Sequence, residues 1–158
     1  MTTRSLACAA AAVGLALAGC GSSGSGTGTS SLSAFRSSFA VAKRQLDALG
    51  VDLDSAVTHA GQKTDAELAS QVSTLASRAE REASALESLN PPTRYNTALR
   101  ALASALDTVG GDLSSIATAA AGHNAPAARS ATKALLADAA DVKLADARVS
   151  KALGLSAG

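Results

Sequence analysis

The chain has 158 residues, with 14 Lys and Arg against 13 Asp and Glu, 2% aromatic residues and no tryptophan. That length suits one ordinary domain, and with so few rings the core must come from Leu, Val and Ala, which favours close-packed helices over a sandwich or barrel. The near-neutral charge, with no basic stripe interleaved with aromatics, gives nucleic-acid binding no support.

Met1 to Arg4 carry one positive charge, and Leu6 to Leu17 then run apolar or small for 12 residues. A membrane-spanning helix needs about 20. The short length, positive start and small-residue exit fit a signal peptide over residues 1–19. Leu17-Ala18-Gly19-Cys20 follows, and it resembles the bacterial lipobox in all four positions. The resemblance implies cleavage between Gly19 and Cys20 and acylation of the Cys20 thiol. A diacylglyceryl cysteine would then hold the protein on the extracytoplasmic face of the cell membrane. One chain alone binds marginally, at about 0.8 kcal/mol per buried methylene; lipoproteins of this type carry two or three.

Cleavage would leave 139 residues, balanced at 13 basic and 13 acidic side chains, with Cys20 the lone cysteine because Cys8 departs with the signal peptide. No internal disulfide is then available. The sequence also shows no polybasic patch to add electrostatic attraction to a membrane. From Gly21 to Ser30 only Gly, Ser and Thr occur. Such a stretch reads as a flexible tether with a span of about 15–20 Å.

From Leu32 onward apolar residues recur at alternating spacings of 3 and 4, the mark of a helical seam. The seams run from Leu32 to Ala56, Leu68 to Leu89, Tyr95 to Ala120 and Ala128 to Leu153. Of 31 seam positions 28 are apolar, where the chain-wide 47% would give about 15. The exceptions are Glu82, Thr132 and Asp146.

The breaks carry their own chemistry. Thr64-Asp65-Ala66-Glu67 has capping-box spacing and should start a helix. Asn90-Pro91-Pro92 should end that helix. Gly122-His123-Asn124 ends the third, with Asn124 as N-cap and Pro126 in the first turn of the fourth. Gly154 is a C-terminal glycine stop. Gly50 and Gly110-Gly111 are weak points at about 0.8–1 kcal/mol each. The seam passes both in register, so the helices are expected to be continuous. The sequence therefore predicts an all-α, up-down-up-down antiparallel four-helix bundle over residues 31–155, with helices at about 31–60, 65–89, 92–121 and 125–153.

Candidate sites are sparse. Haem would need axial His or Met inside the core, and a di-iron centre would need Glu-x-x-His motifs. The mature chain has no methionine and no such motif, and no cofactor is implied. His59 and His123 both fall at the end away from the tether, with Asp65 and Asp112 the nearest acids, so a weak metal site there is one reading. Solvated histidines at helix ends are the plainer one. Glu82 and Asp146 interrupt the seam at a depth comparable to Arg100 and Lys43. They either line a ligand cavity as a charged network or roll outward and leave Ala83 and Ala145 to the core. No G-x-S-x-G, H-E-x-x-H or P-loop occurs, so catalysis is not expected.

The lipobox, the tether, the Leu89-Asn90-Pro91-Pro92 turn and the closing Leu153-Gly154-Leu155 together resemble small Ala-rich helical lipoproteins of high-GC Gram-positive bacteria. That resemblance implies a location and a fold and supplies no activity. The leading expectation is a non-enzymatic envelope module that scaffolds or contacts an envelope protein. The alternative is a small-molecule or metal carrier using the bundle interior or the His59/His123 end.

Overall fold

The structure, a computed structural model, describes residues 27–155, with side chains from Ser31 onward. Residues 1–26, and with them the signal peptide, Cys20 and most of the expected tether, lie outside the described residues. Four α-helices follow in order: α1 Thr27–Thr58, α2 Asp65–Glu87, α3 Asn96–Ala121 and α4 Ala125–Leu153. Single 3-10 turns occupy Ala60–Gln62 and Thr93–Tyr95. No strand occurs among the described residues. Helix α1 begins inside the Gly/Ser/Thr stretch that the sequence assigns to the tether.

The helix ends follow their local chemistry. Thr64 closes a capping box: its hydroxyl accepts from the Glu67 amide at 3.3 Å while its own amide donates to the Glu67 carboxylate at 2.9 Å. That amide bond, with a second donated by the Thr64 hydroxyl at 2.8 Å, holds the Glu67 carboxyl below its usual range. Asn124 caps α4 by accepting from Ala127 N at 3.1 Å. Gly154 is left-handed, and Leu155 N reaches back to Ser150 O at 2.9 Å, the closure of a Schellman motif. At the end of α3 the left-handed residue is His123 (φ 52°) rather than Gly122. Asn124 N closes the same kind of loop on Ala119 O at 2.8 Å. Helix α1 runs through Gly50 and α3 through Gly110-Gly111 without a break.

Contacts between helices join the start of one to the end of the next. Asp65, which opens α2, meets His123 just past α3. Tyr95, just before α3, reaches Ala152 near the end of α4. Lys43 of α1 pairs with Asp146 of α4. Helix α3 sits at the centre with ten buried residues, including Leu102, Leu106 and Leu113.

Residue size sets the spacing. Ala76, Ala79 and Ala83 on α2 face a stretch of α3 containing Ala103 and Gly110, all buried. A Cβ on Gly110 would stand 3.1 Å from Glu80 Cγ and 3.6 Å from the Ala76 carbonyl oxygen, so these two backbones run close. Helix α4 packs closely on α3 in turn, while α1 approaches only α2 to any extent and stands off from α3 and α4. Its seam is bulkier, with Phe35, Phe39, Leu46 and Leu49 buried. At the tether end Phe35 stacks at 5.6 Å from Tyr95 and 6.2 Å from Phe39. Those three rings are the chain's entire aromatic complement.

Candidate functional site

Because α1 stands off, a groove of about 760 Å³ opens between it and α4. Its floor is Leu106, Val109 and Leu113 of α3. One wall is α1 from Leu46 to Val57 and the other is α4 from Leu135 to Asp146. Eleven helical residues at 1.5 Å each make it about 16 Å long. The lining is chiefly Leu and Val, and the lips expose apolar surface: Val51 is 69% exposed and Leu136 61%. Neither residue lies on its helix's seam.

A charged clasp closes the tether-side end. Lys43 Nζ donates to Asp47 Oδ1 at 2.9 Å and to Asp146 Oδ2 at 3.2 Å, tying α1 to α4. Buried Ser150 donates to the other Asp146 oxygen at 3.4 Å. Desolvation is the largest single influence on Lys43 and pulls its pKa down. The hydrogen bonds and charges of Asp47 and Asp146 together outweigh it and hold the ammonium above its usual 10.5. The groove lining also includes Asp54 and Lys143, and it contains no histidine or cysteine. Its chemistry is that of binding: an apolar bed with a few polar groups at one end.

The other candidate residues fall elsewhere. Glu82 is half-buried, and Ala83 takes the core position beside it, as Ala145 does beside Asp146. Arg100 is exposed and lines a separate depression of about 310 Å³ at the Pro91 turn, with Glu87 and Asn96. Glu82, Arg100 and Asp146 thus share no cavity; Asp146 takes Lys43 instead. His123 Nδ1 lies 2.6 Å from Asp65 Oδ2 at an exposed corner, while His59 Nδ1 sits 2.8 Å from the Ser55 carbonyl of its own helix. Neither belongs to a group of three or more metal-ligating side chains among the described residues.

Asp112, expected near the histidines, faces Asp138 of α4 instead. Burial, then the hydrogen bond and charge of Asp138, push its carboxyl above the usual range. Its Oδ2 is buried with no hydrogen-bond partner.

Sequence reasoning missed the groove because a seam records which face a helix buries and not how far its neighbour stands from it. The available signal was the off-seam apolar residues Val51 and Val57 on α1 and Leu136 on α4, all exposed and all on the groove. Comparison of the chain with protein-family models, with curated proteins and with solved structures gives no match, so the groove's chemistry alone carries the functional reading.

Proposed function

We propose that this protein is a non-enzymatic lipoprotein, held on the outer face of the cell membrane through acylated Cys20, that binds an elongated apolar or amphiphilic small molecule in the groove between α1 and α4. The anchor reading is supported by the four-position lipobox resemblance and the short apolar segment before it. No described helix is long and apolar enough to cross a membrane. The observation that carries the binding reading is the groove itself: about 760 Å³ falls within the roughly 300–1,000 Å³ of small-molecule sites. Its apolar lips would lose their exposure to water when a ligand fills it, which is the driving force for occupancy.

Nile red fluorescence tests the binding reading. The dye should brighten with the wild-type protein and stay dim with Gly50→Trp. A Cβ at Gly50 meets nothing within 4 Å and Gly50 sits on the groove wall, so an indole there starts from open space and is expected to cover the bed, with circular dichroism checking that the helices persist. Equal brightening by both, with helicity unchanged, would remove the groove as the site. For the anchor, mass spectrometry of the membrane-bound protein should find a lipid-modified Cys20 at its amino terminus, and Cys20→Ser should move it to the soluble fraction.

A further inference from the structure

We infer that the tether end of the bundle is a docking surface for an anionic lipid bilayer. The sequence contains no run of cations, and the mature chain is balanced at 13 against 13. Folding sorts those charges. The two turns at the tether end are residues 27–37 of α1, the α2–α3 connection with its flanks (84–101) and the end of α4 (147–155). They hold five cations, Arg36, Arg94, Arg100, Arg148 and Lys151, against a single acid, Glu87. All five are exposed, and none forms an ion pair among the described residues. No basic run in the sequence marks this patch: three separate pieces of chain supply it, one or two cations apiece.

Contacts place the three pieces at one end. Arg36 Nη2 lies 3.4 Å from where a Cβ on Gly154 would be, which puts the start of α1 beside the end of α4. The Arg94 guanidinium sits 4.8 Å over the Tyr95 ring, whose hydroxyl reaches Ala152. The opposite end has the reverse balance: residues 52–70 and 115–131 hold Asp52, Asp54, Asp65 and Glu67 against Lys63 and Arg129.

The chain leading back to Cys20 leaves from the start of α1, at the cationic end. An anionic leaflet presents a negative surface potential of about −30 mV. Its field decays over about 8 Å at physiological salt. A bundle tethered at its cationic end has those five charges close enough to feel it, and its acidic end points away. The partner is thus a surface of lipid phosphates rather than one headgroup, because the cations are spread around the end of the bundle and converge on no single point. The inference takes from the anchor reading that a membrane is present and that the tether leaves from the start of α1.

The test uses the mature chain from residue 20 with Cys20→Ser, so that neither the apolar segment before it nor an acyl chain contributes and failed anchoring and failed docking are distinguishable. Sedimentation with vesicles of phosphatidylcholine is compared with vesicles in which part of that lipid is phosphatidylglycerol. Binding should favour the anionic vesicles and vanish at roughly 1 M salt, where the field decays within about 3 Å. Arg36→Gln/Arg148→Gln/Lys151→Gln should weaken it on the order of a hundredfold, about fivefold per cation. Lys63→Gln/Arg129→Gln/Lys133→Gln, the same loss of charge away from the tether end, should leave it unchanged. All six are exposed side chains, and circular dichroism would verify that both variants stay helical. Equal losses in the two variants, or no preference for the anionic vesicles, would overturn the inference. So would retention on a soluble polyanion with none on the vesicles.

Discussion

The α2–α3 interface and the α1–α4 interface are built from the same few residue types and come out opposite. Between α2 and α3, small residues occur on both sides, so the helix axes close up and the facing residues are buried. Between α1 and α4, Phe35 and Phe39 hold α1 away at the tether end, where Tyr95 fills the gap. Farther along, α4 lines the gap with Leu135, Leu136, Ala139 and Val142, and the small Ala139 and Val142 between the leucines and the Lys43–Asp146 clasp leave it unfilled. The difference lies in where alanine sits. Facing a small residue it closes an interface; facing a helix already held off, it leaves a groove.

The largest break of that contrast is in the core. Leu102 is fully buried on α3, and Leu102→Ala should cost about 3–4 kcal/mol through lost transfer energy plus a cavity that tight neighbours cannot fill. Leu53 on the groove wall is half-buried, and Leu53→Ala should cost about 1 kcal/mol or less. Urea unfolding of both variants gives the two midpoints. Similar losses would mean that α1 packs as tightly as α2.

Glycine reads the same contrast from backbone to backbone. Gly110→Leu forces a side chain against Glu80 and the Ala76 carbonyl and should destabilise by about 1–3 kcal/mol. Gly50→Ala meets nothing within 4 Å and should stabilise by about 0.8–1 kcal/mol through helix propensity alone. Opposite shifts in melting temperature are expected from the pair.

Lys43 is the tie that keeps the loose side together. Its side chain is 12% exposed and Asp146's 20%, so Lys43→Met leaves a partly buried carboxylate without its counter-ion and should cost about 1–2 kcal/mol. The Lys43 pKa is raised in the folded protein. Its stabilisation is therefore fully present below about pH 10.5 and lost as pH rises through the higher folded value. Wild type should fall towards the variant above pH 10.5, and parallel curves there would show that the clasp carries no weight. Hydrogen exchange in α1 should speed up in the variant, with α2 and α3 little changed.

Much of this architecture is legible in the residue pattern, because helix periodicity and capping are local. The spacing of Leu99, Leu102, Leu106, Val109 and Leu113 marks the buried face of α3, and Thr64 with Glu67 marks the start of α2. Likewise Ala83 beside Glu82 shows that a half-turn's roll costs little. The separation between helices was not legible, since it depends on how Phe35, Phe39 and Tyr95 meet across 60 residues of chain. The same holds for the partners of Asp146 and Asp112. Each was placed by helix depth alone, and the side chain opposite is set by the pairing of helices rather than by anything near it in sequence.

Asp112 gives the smallest effect and tests the close-packed side from within. It faces Asp138 across the α3–α4 contact, and desolvation followed by that neighbour's hydrogen bond and charge raise its pKa above the usual 3.8. The native state therefore holds this proton more tightly than the unfolded chain does. Stability from this group is greatest at or below pH 3.8 and declines as pH climbs through the folded pKa, so at pH 7 the pair is a net cost. Asp112→Asn keeps the shape, removes one charge and gives Asp138 a donor. It should stabilise by about 0.5–1 kcal/mol at pH 7, with the gain shrinking towards zero near pH 3.8. A gain independent of pH would assign the effect to packing; a loss at pH 7 would mean that the two carboxylates do not oppose each other, and that α3 and α4 are less closely joined there than α2 and α3.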